Sequence, residues 1–379
     1  MKMNPKNTKS TPLHITDGCS DRSTMNGKPV LYRDAQTVLN VSNEAFHEKL
    51  LCDGPIYNAG DACAYSCAFC YVGSMLRFQA PPVLRAYERQ YGEALKFEGV
   101  VIRRRNAPEL LRVQLLKSNG QRRYPKDDDT RVIYSSTTVD VAANMVLLRE
   151  TAEMCNMILE HTGWQVRLLS KSNLLHKLVA DGMIPERHHH RLIFGFSTGT
   201  IDDRVAMAFE KGTALVSKRI KSLHWLQDNG FRTYGMICPS LPQEDYDEFS
   251  REVCAAIRVE KCEHVWAEPI NVRGDSFVRT LSALRGEKLY AEAERLAAVS
   301  GPGKSKAWEN YSRETFLAHT RNIPDEKLRF LQYIDGASAS WWDAQRKHGA
   351  ILLGKKAKEL GLTSSGRSAC VDAKPIRTL

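Results

Sequence analysis

From about Gly54 onward, short apolar runs alternate with longer stretches of helical periodicity, the order expected of a parallel α/β domain. The runs that read as strands are Pro55-Ile56-Tyr57, Val100-Val101-Ile102, Val132-Ile133-Tyr134, Val166 to Leu169, Leu192 to Phe196, Thr233 to Ile237 and His264 to Ala267. Between them, Val141, Met145, Leu148, Ala152, Cys155 and Leu159 recur at steps of four and three, which keeps one helix face apolar. A second helix carries Val216, Ile220, Leu223 and Leu226 on one side and stops at Asn229-Gly230, a good C-terminal cap. A third begins near Gln243-Glu244-Asp245 and buries Tyr246, Phe249, Val253 and Ile257.

Six or seven such units joined by right-handed crossovers curl into a barrel or an open part of one. The predicted fold class is therefore α/β, a partial TIM-type (β/α)6 barrel over residues 51–300. A polar N-terminal extension over 1–50 precedes it, and a mainly helical C-terminal extension with a basic tail over 301–379 follows, the boundary marked by Gly301-Pro302-Gly303-Lys304. In barrels of this kind the chemistry collects at the C-terminal ends of the strands, which is where the motifs below fall.

With 42% apolar and 26% charged residues among 379, the chain reads as globular rather than disordered. The first residues lead into no apolar run, and no segment is apolar for the length of a bilayer. A cytoplasmic protein with no membrane partner is the expectation. Ten cysteines in such a chain then argue for reduced thiols and metal ligands rather than a disulfide framework. Seven are scattered singly, and only Cys63, Cys67 and Cys70 cluster.

These three thiols follow the first strand in a loop of small residues, Asn58-Ala59-Gly60-Asp61-Ala62-Cys63-Ala64-Tyr65-Ser66-Cys67-Ala68-Phe69-Cys70-Tyr71. The spacing lets three thiolates converge on one metal body. Three ligands leave one iron of a four-iron cluster without a protein donor, a position an external chelate can take. The alternative is structural zinc, which wants four ligands; no second Cys-x-x-Cys pair occurs, and His188, His189 and His190 are the available fourth donors.

Cys63 to Cys70, with Phe69 before the last cysteine, resembles the Cys-x-x-x-Cys-x-aromatic-Cys signature of the radical S-adenosylmethionine superfamily. More narrowly, the chain is similar to the branch of spore photoproduct lyase and the DNA repair photolyase-like proteins, from about Pro55 to about Gly274. Asn106-Ala107-Pro108-Glu109 follows the second strand as in that branch, Ser135 to Asp140 stands where relatives carry a Thr-Asp-Pro-Tyr-like segment, and Lys171-Ser172, Phe196-Ser197-Thr198 and Pro239-Ser240-Leu241-Pro242 each end a strand.

The resemblance implies a 4Fe-4S cluster on Cys63, Cys67 and Cys70. S-adenosylmethionine would chelate its open iron, with the carboxylate held by Lys171 and Ser197 and the adenine side lined by Tyr71; Phe69 and Ser136 belong to the same cofactor set. An electron from a reductant such as flavodoxin or ferredoxin would split the cofactor and release a 5'-deoxyadenosyl radical, which takes a hydrogen atom from a substrate. Tyr134, Thr137, Tyr234, Glu268 and Asn271, all near strand ends, are candidates for the substrate side. The branch's hydrogen-donating cysteine has no counterpart, since no cysteine lies between Cys70 and Cys155, and Cys155 falls on an apolar helix face. Tyr71 and Tyr234 are the catalytic candidates in its place, with Tyr134 beside them.

For a nucleotide substrate in DNA or RNA speak the branch, the net charge of +10, and the run Arg103-Arg104-Arg105, Arg112, Lys117, Arg122-Arg123, Tyr124 and Lys126. Trp341-Trp342 with Arg346 and Lys347 is a second possible stacking platform. Against them stands Asp127-Asp128-Asp129, which would repel a phosphate backbone. The other readings are a radical enzyme acting on a small metabolite or peptide, and a noncatalytic metal-stabilised nucleic-acid-binding protein.

Overall fold

The computed structural model describes residues 24–77, 82–94, 96–135, 137–270, 275–301, 303–364 and 368–369. Its centre is a nine-stranded sheet. Eight strands run parallel in chain order: Ile56–Tyr57, Val132–Ser135, Gln165–Ser170, Leu192–Ser197, Arg232–Ser240, Cys262–Pro269, Leu328–Tyr333 and Ala350–Leu353. The short Leu39–Asn40 strand closes one edge antiparallel to the first.

Each predicted helix forms where its periodicity ends in a cap. Met145–His161 starts at Asn144, whose side chain accepts the Val146 and Leu147 amides. Tyr246–Ile257 starts at Asp245, which accepts the Glu248 amide, and Val216–Asp228 gives way to Gly230 at φ +76°.

Three expectations change. The Val101–Arg104 strand does not join the parallel series; it pairs with Lys28–Arg33 and Gly60–Ala62 in a separate four-stranded sheet. Part of the polar N-terminal segment is thereby built into structure, because Val30 and Leu31 alternate onto two buried faces. The segment after 301 is not only helical, since it adds the seventh and eighth parallel strands. Their apolar runs, Leu328–Tyr333 and Ala350–Leu353, are short and separated by charged residues.

Adjacent strand residues alternate between two cores. Ile133, Phe194, Val265 and Phe330 face the helices, whereas Tyr134, Ile193, Tyr234, Trp266, Leu331 and Ile351 face inward. Ile56 of the first strand and Ile351 of the last share that inner cluster, so the sheet curls round it. Leu50, Leu51, Cys52 and Ala369 fill the inner cluster alongside them. Arg167, 1% exposed, holds this plug by donating to the carbonyls of Leu50 (3.1 Å), Leu51 (2.8 Å) and Ala369 (3.3 Å). Its guanidinium lies over Trp266 and Tyr234 at 5.0 and 5.5 Å from the ring centroids. Gly195 is required beneath the Tyr234 ring, since a Cβ there would stand 2.1 Å from Cζ. Among the described residues no helix is long and apolar enough to cross a membrane.

Two histidines are buried in the neutral form. Burial, with Arg329 and Arg167 adding to it, pushes His264 down to about 2, and burial pushes His319 down to about 4, from an ordinary 6.5. Below pH 6.5 the unfolded chain takes up protons at both sites that the folded chain refuses. Stability therefore falls with pH, by up to about 1.4 kcal/mol per pH unit for each histidine. Replacing His264 by Gln is expected to shallow the slope of unfolding free energy between about pH 6 and pH 4.5 by that amount. An unchanged slope in chemical denaturation would mean that His264 protonates in the folded state.

Candidate active site

The cysteine loop leaves the first strand and is fixed on every side. Asp61 receives Arg104 at 2.7 Å and also pairs with Arg33, and Asn58 Oδ1 accepts from the Thr137 amide (2.6 Å) and from the hydroxyls of Thr137 and Thr138 (3.1 Å each). Ser66–Cys67 pairs antiparallel with Glu210–Lys211, and the Ala68 amide donates to Phe209 O at 2.7 Å. At the far end Arg279 donates to Cys70 O at 2.9 Å. Lys28, 8% exposed, reaches in from the N-terminal strand and donates to Cys63 O (3.0 Å) and Tyr65 O (2.6 Å).

All three thiols are free and half-buried. Burial, followed by the Asp140 carboxylate, pushes Cys63 up to about 12. Cys67 and Cys70 are raised as well, chiefly by burial. Burial lowers Lys28, while the electrostatic pull of Cys63, Cys67 and Cys70 acts in the opposite sense. The Tyr65 and Asp140 amides point at Cys63 Sγ from 3.4 and 3.3 Å. Soft sulfur donors, amide N–H groups aimed at sulfur and an opposing cation are what an anionic iron–sulfur cluster needs, and the residues fit that group. Among the described residues no three His, Cys, Asp or Glu side chains are gathered as a metal site, the three cysteines included, so the fit rests on donor chemistry and spacing. His188 bonds Glu160 and His189 bonds Ile184 O on the turn at Glu186–Arg191, so neither is directed at the cysteines.

At the adjacent strand ends Lys171 and Ser197 meet, with Nζ 3.0 Å from Oγ. The Lys171 ammonium also donates to Glu210 Oε1 (2.5 Å) and Cys238 O (3.2 Å), so its three protons are all used. Glu210 has a completely buried side chain and pairs with Arg219 at 2.6 Å. Two cations share one carboxylate, which leaves a positive charge for an incoming carboxylate to exchange into. Asp140 stands beside them, accepting from Ser170 Oγ and from the Lys171 amide at 2.8 Å each; burial raises its carboxyl above the ordinary range.

Phe69 lies with its ring centroid 5.2 Å from Lys171 Nζ and 5.6 Å from the Phe209 ring. Tyr71 is 46% exposed and donates to Thr137 O at 2.5 Å. Tyr234 is fully buried and its hydroxyl donates to Leu168 O at 3.1 Å, which makes it part of the barrel floor. Tyr134 is 3% exposed beside it. Ser136 and Asn271 lie outside the described residues.

Sequence reasoning missed Lys28, Lys49, Glu210 and Cys238. Only Cys238 had a local signal: Tyr234, Met236 and Cys238 follow each other at every second position of one strand and share its inner face. The cationic run dissolves into structure. Arg103 is buried against Glu150, Arg104 is held by Asp61, and Arg122 meets Asp127 at 2.6 Å. Trp342 is fully buried with Nε1 on Glu309 (2.8 Å), and Trp341 packs under Arg313 at 4.5 Å.

A parallel α/β sheet curled round a plugged core, with a three-thiol loop at the C-terminal strand ends, is the class of protein that fold and site define. No family model and no curated protein matches the chain. A spore photoproduct lyase variant with dinucleoside spore photoproduct aligns with a TM-score of 0.50 and 11% identity, over 79% of this chain and 81% of that one. Another spore photoproduct lyase variant gives 0.49 and 12% over the same shares. SuiB from Streptococcus suis bound to S-adenosylmethionine gives 0.32 and 12%, over 62% of this chain and 45% of that one. The chain shares the fold of spore photoproduct lyase.

Replacing Glu210 by Gln leaves Lys171 and Arg219 buried without their anion. The expected loss is about 3 kcal/mol of stability, read as a lowered denaturant midpoint, together with poorer metal retention by the cysteine loop. A variant as stable as the parent would remove Glu210 from the framework of the site.

Proposed function

We propose that this chain is a radical S-adenosylmethionine enzyme. The observation that carries the reading is the junction of three half-buried thiols, joined to Glu210 by the Cys67–Glu210 strand pairing, with the Lys171–Ser197–Glu210 group at the strand ends. Cys63, Cys67 and Cys70 would hold a 4Fe-4S cluster, and Lys171 and Ser197 the cofactor's carboxylate. When bound, the cluster would supply one-electron chemistry, by which an electron from a reductant such as flavodoxin or ferredoxin would split S-adenosylmethionine into methionine and a 5'-deoxyadenosyl radical able to take a hydrogen atom from substrate.

The chain's own residues orient and shield that chemistry. Tyr71 and Phe69 flank the cofactor, and the plugged inner core denies water a route from below. Cys238, half-buried at a strand end with its thiol 3.6 Å from Glu268 Oε2, is the preferred hydrogen-atom donor to the product radical. Its S–H bond breaks homolytically as the product C–H bond forms, and one electron from the reductant with one proton from solvent restores the thiol. Tyr71 remains the alternative; Tyr234, with its hydroxyl already bonded in the floor, is the weaker one.

A nucleotide in DNA or RNA is the first substrate reading, supported by a fold shared with a lyase variant that holds dinucleoside spore photoproduct. A small metabolite or peptide is the second, and one observation favours it: Arg103 and Arg104, at the head of the run expected to track phosphates, are largely buried and paired with Glu150 and Asp61.

Anaerobically reconstituted protein is expected to be brown, to contain about four irons and four sulfides per chain, and to form 5'-deoxyadenosine on reduction. Cys67→Ala should abolish colour and cofactor cleavage together. Colourless protein containing one zinc, or normal turnover by the variant, would overturn the assignment.

A further inference from the structure

Beside the cofactor residues, the strand ends carry a second pair of charges that the proposed chemistry does not use. Glu268 ends the sixth strand, and its only hydrogen bond among the described residues comes from the weak Cys238 thiol donor, at 3.6 Å. Lys49 enters from the plug segment, with its carbonyl fixed by Trp266 Nε1 at 2.9 Å. Its ammonium lies between the Phe46 and Tyr333 rings, 5.8 and 5.9 Å from their centroids. Among the described residues Lys49 makes no ion pair, with Glu268 or any other carboxylate. Burial is the largest single influence and lowers Lys49, but Glu268, Tyr333, Tyr71 and Cys238 together outweigh it, so the ammonium is held above its ordinary range.

Lys49, Cys238, Glu268 and Tyr333 are each half-buried, whereas Ile237, Ala267 and Gln332, one residue before three of them, are buried. These side chains therefore stand at the strand ends with part of their surface open to solvent. Together they present two opposite charges, partly desolvated and beyond ion-pair distance of each other. A monoanion would satisfy Lys49 and strand Glu268, and a monocation would do the reverse; a buried charge left alone costs several kcal/mol. A ligand carrying both charges on neighbouring atoms satisfies the pair at once.

We propose that Lys49 and Glu268 bind the carboxylate and the ammonium of a small zwitterion of the α-amino acid class, presented beside Cys238 at the barrel mouth. This rests on the reading of the strand-end face as the substrate side, and it assigns that substrate to the small-molecule class. Lys49 accepts the carboxylate as a charge-assisted hydrogen-bond donor, Glu268 receives the ammonium, and the side chain of the amino acid is left toward the reacting centre.

The test is calorimetric binding of the twenty L-α-amino acids to the reconstituted full chain, with their N-acetyl and methyl ester derivatives and a thymidine dinucleotide as controls. Iron content and cofactor cleavage are measured on the same samples. At least one amino acid is expected to bind, with affinity falling about 100-fold on N-acetylation or esterification. Glu268→Gln and Lys49→Met should each weaken it comparably, and Lys49→Arg should retain it. Because Glu268→Gln removes a charge without changing shape, a folding defect in Lys49→Met would not hide the result. Cluster-bearing protein that binds none of the twenty, binds the esters equally well, or binds only the dinucleotide overturns the proposal. So does binding lost in Lys171→Ala but kept in Lys49→Met, which would seat the zwitterion on the cofactor side. Protein that forms no cluster refutes the radical enzyme reading instead, and the two failures are told apart by the iron analysis.

Discussion

The site depends on one buried carboxylate. Glu210 pairs its backbone with Cys67, its side chain with Lys171 at the end of the third strand, and with Arg219 on the following helix. Three pieces distant in the chain are thereby held at one point. Inside the protein such a group is stable only while its partners stay in place, because an uncompensated charge there costs several kcal/mol. The cysteine loop, whose apolar side chains are largely small alanines, draws rigidity from that requirement.

A second constraint acts from below. Arg167 is buried where a parallel strand would ordinarily carry an apolar side chain, and it closes the inner core by gathering the carbonyls of Leu50, Leu51 and Ala369. The backbone groups of that plug have no strand to pair with, so the guanidinium supplies donors they would otherwise lack. Filling the lower interior leaves the half-buried polar side chains at the strand ends. Packing and a cation thus fill the inner core, while thiols and charged side chains stand at the strand ends.

The basic composition illustrates how far charge counting can mislead. Arg103, Arg104 and Arg122 look like a phosphate track in the sequence, yet each is spent on an acidic residue that the fold brings to it. The net charge is real, but its distribution is a tertiary property. Arg103 and Arg104 are largely buried and so offer little to a polyanion, whereas the exposed pair of Arg122 with Asp127 holds its arginine only weakly.

The strands, the capped helices and the cysteine loop were legible because they depend on short-range regularities: alternation, periodicity and the spacing of three thiols in eight residues, Cys63 to Cys70. Lys171 and Ser197 were named because the resemblance implied them, and they meet because each ends a strand and parallel strands bring their ends together. Tertiary structure alone decided that Val101–Arg104 leaves the parallel series, that two further strands extend the sheet after residue 301, and that Lys28, Lys49, Glu210 and Cys238 join the site. The reason is physical. An isolated charged residue looks the same in sequence whether it meets water or an opposite charge, and which of the two it meets is settled by contacts between segments far apart in the chain.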